Sequence, residues 1–166
     1  QKTAYEIRNC DWSSDVCSSD LKYRGATCIT PNRTEASLAT GMNAAAGDTP
    51  TLHKMAAALI RELNLDSVVL TLDKQGALFQ ERGGEPVHVP TVARQVYDVT
   101  GAGDMVLAML AAALGNGADW LSAVQLANTA AGLEVEKFGV VPIELDEVLV
   151  SRSEEHTSEL QSQFRI

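Results

Sequence analysis

Gly101, Gly103 and Asp104 stand together at the head of a stretch otherwise rich in Ala, Leu and Met. Glycine in a helix costs about 1 kcal/mol against alanine, so two of them at a helix start need a reason. One reason is conformational, a tight turn with positive φ. The other is access. Without side chains, the first N–H groups of the helix can touch a phosphate directly, and the helix dipole favours its charge. Asp104 then lies in the first turn, within reach of whatever is held there, and a carboxylate in that place can accept a proton. An acidic residue in a first turn also complements the dipole by itself, worth about 0.3–1 kcal/mol. The four residues alone leave these two readings level.

Asn32 followed three residues later by Glu35 is a helix capping box. Asn128, on a helix, shares a face with Leu121, Val124, Ala131 and Val135. A polar side chain on that apolar stripe must find a partner or cost a few kcal/mol, and neighbouring backbone could supply one. Lys74 reads as an exposed turn lysine. His53 and His88 have no ligand-like companions and read as surface or packing residues. Cys10, Cys17 and Cys28 lack metal-ligand spacing and read as free thiols in a reducing compartment.

The elements that must carry these residues alternate between strand and helix. Ala26–Thr30 reads as a short buried strand ended by Pro31, followed by a helix from Asn32 to Thr40 with Gly41 as its stop. Pro50 opens a helix whose Leu52, Met55, Ala56, Leu59, Ile60 and Leu63 make an apolar stripe. Ser67–Leu72 is a second buried strand. A hairpin starts at Gly76, runs through Ala77–Phe79, turns at Gly83-Gly84 and returns along Val87–Val89. Helices follow over about Gly103–Leu114, Asp119–Glu136 and Glu144–Leu149. This order predicts an α/β layer architecture with a mostly parallel sheet.

A net charge of −9 with a pI near 4.7 argues against a nucleic-acid groove, which needs clustered Lys and Arg. It leaves room for one local phosphate cradle of backbone N–H groups. The longest apolar run, Met105 to Leu114, is far short of the ~20 residues a bilayer requires. With no export signal at the start, the expectation is a cytoplasmic protein without membrane partners.

Both ends change character. Cys10–Leu21 is rich in Ser and Asp, and Ser151–Ser162 is equally polar; neither has helical or strand periodicity. Both are similar to translated sequencing-adapter read-through. The expected organisation is therefore a non-native tail over 1–21, the biological sequence over 22–150, and a second non-native tail over 151–166.

Asp98-Val99-Thr100-Gly101-Ala102-Gly103-Asp104 as a whole resembles the signature of the ribokinase/PfkB-type carbohydrate kinases. The resemblance implies that Gly101, Ala102 and Gly103 form an anion hole for the transferred phosphoryl group. It implies that Asp104 takes the proton from the attacking sugar hydroxyl. It places Asn32, Arg33, Thr34, Glu35, Thr71, Gly76, Asn128 and Gly139 around ATP, with Asn32 and Glu35 acting indirectly on Mg²⁺. Asp98 and Thr100 would hold a monovalent cation, K⁺.

Within the family, Tyr23–Thr27 leading into Thr30-Pro31-Asn32, together with His88–Thr91, Gln95–Asp104 and Leu126–Asn128, resembles the heptose 7-phosphate kinases of ADP-heptose synthesis. Met105, where that subgroup usually has Thr, and Lys137–Val141 depart from its pattern. The resemblance implies a ribokinase-like fold present only as its C-terminal half. It implies a sugar phosphate and ATP as substrates, and a parent enzyme that is a homodimer, in some cases fused to an adenylyltransferase. Other ribose, fructose or nucleoside kinases of the family, and a non-catalytic nucleotide-binding fragment, are the alternatives. A missing N-terminal half would leave the chain inactive by itself and expose an apolar edge at Ala26–Ile29.

Overall fold

The computed structural model describes residues 7–8, 23–91, 101–137, 139 and 142–153. Five strands form one sheet in the order β1 (Ile7–Arg8), β2 (Cys28–Ile29), β3 (Ser67–Thr71), β4 (Ala77–Glu81) and β5 (Val87–Val89). The β1–β2 and β2–β3 pairings are parallel, whereas β3–β4 and β4–β5 are antiparallel. The β4–β5 pairing is the hairpin expected from Gly76 onwards, and β3, expected only as a buried strand, pairs antiparallel with it as well.

Side-chain alternation along the strands splits the core in two. Val68, Leu70 and Leu78 face one layer, with Ile29. Val69, Ala77 and Phe79 face the other, with Cys28 and Val89. Helices α1 (Arg33–Thr40) and α2 (Thr49–Leu63) cover the first face through Ala36, Leu52, Met55, Leu59 and Leu63. Helices α3 (Ala102–Gly115) and α4 (Trp120–Val135) cover the second through Val106, Leu110, Leu114, Val124 and Ala127. Phe79 stacks on Trp120 with ring centroids 5.8 Å apart, joining β4 to the start of α4. The result is an α/β/α sandwich, the layered architecture that the alternating pattern predicts.

Local chemistry moves several boundaries. Strand β2 is shorter than the Ala26–Thr30 run, because Gly25 and Ala26 close a turn instead, with Gly25 N–H donating to Leu63 and Ala26 N–H to Tyr23. Strand β3 stops at Thr71, since the Leu72 N–H turns away to the Gly76 carbonyl around a 3₁₀ turn at Asp73–Gln75. Asp48, not read from the sequence as a cap, accepts from Thr51 N–H and starts α2 one residue before Pro50. A last helix, α5, runs over 145–153, past Leu149 and into the segment expected as a tail; Arg152 donates to Gln125 Oε1 on α4 at 2.9 Å.

Two expectations are overturned. Leu121 is 39% exposed and does not join the buried stripe, while Ala123, Ala130 and Glu134 are buried. Helix α4 is covered by α3, the sheet and α5 together, so burial wraps its later turns instead of following one face. The apolar edge at Ala26–Ile29 is not bare. Cys28 and Ile29 are fully buried, and β1 pairs along β2.

Candidate active site

Register gathers the candidate residues at one end of the sheet. Asn32 bridges Thr71, Thr71 pairs with Ala77, and Ala77 pairs with Val89. This row crosses the carboxyl ends of β2, β3 and β5, which run in the same direction. In α/β sheets, ligands bind at the carboxyl ends of parallel strands.

On one side of the row, Asn32 caps α1. Its Oδ1 accepts from Glu35 N–H at 2.9 Å, and Glu35 Oε2 accepts from Asn32 N–H at 2.7 Å. The capping box expected from spacing is therefore formed. Arg33 donates to the Ala45 carbonyl and to Gln75 Oε1, tying the start of α1 to the 3₁₀ turn. Thr71 N–H donates to the Pro31 carbonyl at 2.9 Å. Thr34 and Lys74 are exposed, and Gly139 is exposed beyond the end of α4.

Further along, Gly76 and Asn128 converge on the same backbone. At Gly76 φ is +88°, and a Cβ there would lie 2.1 Å from the Val89 carbonyl oxygen and 2.6 Å from the Thr91 nitrogen. Only glycine fits, because the chain leaving β5 passes directly over it. Asn128, 9% exposed, donates its Nδ2 to the Pro90 carbonyl at 2.7 Å. This is the backbone partner that a polar group on an apolar face demands. Gly76 and Asn128 thus grip residues 89–91, the segment that leads towards Gly101.

The start of α3 differs from the other helices. Asn32, Asp48 and Asp119 cap α1, α2 and α4 through side-chain oxygens, but no side chain caps α3. Its N-cap is Gly101, at φ 94° and ψ −19°, a left-handed conformation that glycine accepts without strain. The Gly101 carbonyl accepts Met105 N–H at 2.9 Å and begins the helix. Gly103 has neither a positive φ nor a neighbour: a Cβ added there meets nothing within 4 Å. Neither backbone conformation nor packing among the described residues explains this glycine. Asp104 follows, exposed in the first turn.

Helices α3 and α4 are joined by four residues, 116–119, and pack against each other, so they run antiparallel. Asn128 holds the later half of α4 near Pro90. The start of α3 accordingly sits at the same end of the sheet as Asn32 and Thr71. Asp98 and Thr100 lie outside the described residues. Among the described residues, no three His, Cys, Asp or Glu side chains cluster as a metal site. Cys28, level with Ser67 at the other end of β3, has its thiol pushed up to about 12, chiefly by burial, and is inert near neutral pH.

The profile of the pfkB family carbohydrate kinases matches residues 1–146. The chain belongs to that family. It is 44% identical over 150 residues to the bifunctional protein HldE of Trichlorobacter lovleyi, covering 90% of this chain and 30% of that protein. With HldE of Geobacter sulfurreducens it shares 43% over 139 residues, 84% of this chain and 28% of the relative. The chain therefore spans about 30% of the length of these curated relatives. Arabidopsis thaliana ribokinase, solved with ribose and ATP, superimposes with a TM-score of 0.70 at 26% identity, over 86% of this chain and 46% of the ribokinase. Thermotoga maritima ribokinase gives 0.64 at 29% identity, over 75% and 41%. Escherichia coli phosphofructokinase-2, at 20% identity, a TM-score of 0.73, and 86% and 45% coverage, shares the fold. The ribokinase-like fold of this pfkB-family chain is thereby established.

Proposed function

We propose that this chain carries the phosphoryl-transfer half of an ATP-dependent sugar kinase, with Asp104 as the general base and Gly101, Ala102 and Gly103 as the anion hole. The observation that carries this reading is the α3 start: uncapped, opened by a left-handed glycine, and kept bare at Gly103 where the fold itself has room for a methyl group. A phosphate set against those N–H groups would gain both hydrogen bonds and the helix dipole. The exposed carboxylate of Asp104, in the first turn, would then take the proton from a hydroxyl aligned on that phosphate. Asn32, Arg33, Thr34, Glu35, Thr71, Gly76, Asn128 and Gly139 form the nucleotide side of the proposal. Asn32 and Glu35 already spend one oxygen each on the cap, so they would act on Mg²⁺ indirectly, the ion arriving on the ATP phosphates. Mg²⁺ would neutralise charge on the transferring phosphoryl group. Asp98 and Thr100 remain the proposed holders of K⁺.

The likeness to HldE favours D-glycero-β-D-manno-heptose 7-phosphate as the sugar, phosphorylated at its anomeric hydroxyl for ADP-heptose and lipopolysaccharide core synthesis. The bifunctional name of these relatives accords with fusion to an adenylyltransferase, and a cytoplasmic homodimeric parent is part of the same proposal. Residues 22–150 are the proposed kinase portion.

A coupled ADP-release assay with heptose 7-phosphate tests the reading. In an intact kinase bearing this stretch, Asp104→Asn should lower kcat by several orders of magnitude. Near-normal turnover would remove Asp104 from the base role. The 166-residue chain alone should give no turnover.

A further inference from the structure

Arg33 and Gln75 join two segments of the proposed nucleotide side that lie 42 residues apart in the chain. Arg33, half-buried in the first turn of α1, donates Nη1 to the Ala45 carbonyl at 3.2 Å and Nη2 to Gln75 Oε1. The Ala45 carbonyl also accepts Asp48 N–H at 3.0 Å, in the turn that leads into α2. Arginine only donates, so Gln75 must present its oxygen, and the amide is held one way round. The guanidinium is planar, with its donors in a fixed fork, so the two bonds also fix the separation of their acceptors. The α1 start, the turn before α2 and the 3₁₀ turn after β3 are thereby set against one another.

The 3₁₀ turn needs such a hold. Its own hydrogen bonds are local: Gln75 N–H to the Leu72 carbonyl at 2.9 Å, Gly76 N–H to Asp73 at 3.2 Å, and Leu72 N–H to Gly76 at 2.8 Å. They leave Asp73 at a φ of +52°, in the left-handed region where a residue with a Cβ is strained. Such a conformation persists only where its surroundings over-determine it. Gly76 is packed against residues 89–91, and Gln75, beside it, is held by Arg33. The last backbone bridge between the two segments is Asn32 to Thr71. Past it, the side chains of Arg33 and Gln75 carry the connection.

We propose that Gln75 is a positioning residue for Mg·ATP: through Arg33 it holds the turn bearing Gly76 at a set distance from the α1 start, so that both sides of the nucleotide site are in place before the nucleotide arrives. The inference rests on the nucleotide role proposed for Asn32, Thr71 and Gly76. It also gives Arg33 its part there. Each terminal nitrogen of its guanidinium is engaged by a protein oxygen, so Arg33 shapes the site and leaves the phosphates to others. With the tie cut, the free site relaxes, and the nucleotide must restore the geometry at the expense of affinity. Once Mg·ATP has restored it, turnover at saturation is unaffected.

A double-mutant cycle in the intact kinase bearing this stretch tests the tie, read by calorimetric titration with Mg·ATP and by ADP release. Gln75→Ala should raise Kd and KM for Mg·ATP roughly three- to tenfold, the worth of one hydrogen bond, and leave kcat within about twofold. A variant that merely folds poorly does the reverse: fewer active molecules lower kcat and leave KM unchanged. Adding Gln75→Ala to Arg33→Ala should weaken binding no further, because the tie is already cut. An unchanged KM for Gln75→Ala, or an effect that persists in full on the Arg33→Ala background, overturns the proposal. A wild-type kinase that binds no Mg·ATP would remove the nucleotide reading itself, and this role with it. A Gln75→Ala effect found beside normal turnover in Asp104→Asn would support the tie without the base role.

Discussion

Replacing Gly103 with alanine sets the two demands on the α3 start against each other. The added Cβ meets no atom within 4 Å, and the residue's φ lies outside the left-handed region, so the fold accepts the methyl group. Alanine has the better helix propensity and gives the unfolded chain less entropy to lose. The combined gain is about 0.5–1 kcal/mol. For a chain of this size that corresponds to a rise in Tm of roughly 2–4 °C at the upper figure. The same methyl group stands over the N–H groups proposed to hold a phosphate. Losing one charge-assisted hydrogen bond there costs about 1.5–3 kcal/mol, or roughly ten- to a hundredfold in affinity. The expected result is a variant that melts higher and binds Mg·ATP more weakly, measured by thermal denaturation and by calorimetric titration of the intact kinase. A lower Tm would show that the glycine serves the backbone. A raised Tm with unchanged ATP affinity would show that the open N–H groups hold no phosphate.

Gly76→Ala should behave in the opposite sense. Its Cβ would overlap backbone at 2.1 Å from the Val89 oxygen, at a φ of +88° that L-residues avoid, so a loss of about 2–3 kcal/mol or more is expected in urea denaturation. A loss below ~1 kcal/mol would mean that residues 89–91 yield easily. Asn128→Leu keeps the volume but removes the hydrogen bond to the Pro90 carbonyl, which should cost about 0.5–1.5 kcal/mol. An unchanged melting point would show that this hydrogen bond does not anchor the segment leading to Gly101.

Periodicity and punctuation made much of the architecture legible. The apolar stripe from Leu52 to Leu63, the Asn32–Glu35 box and the Gly76 hairpin each depend on interactions within a few residues, which spacing records directly. The glycine start of α3 was legible for the same reason, since helix geometry and dipole belong to the local chain. The meaning of Gly76 was not: its glycine is required by Val89–Thr91, a strand away, and only the hairpin register brings that backbone over it. Asn128 demanded a partner by its type alone, yet the partner, Pro90, lies 38 residues earlier.

Glu134 shows the division most clearly. In the sequence it is one glutamate near the end of a helix, next to other charged residues and without a motif. Its burial, 3% exposed, is a product of packing between distant segments. Residue types and local spacing determined that two glycines and a carboxylate stand at the head of α3, the place proposed here for a phosphate. Only the tertiary structure decided which groups surround that carboxylate, because desolvation and the distances between charges are set by neighbours in space.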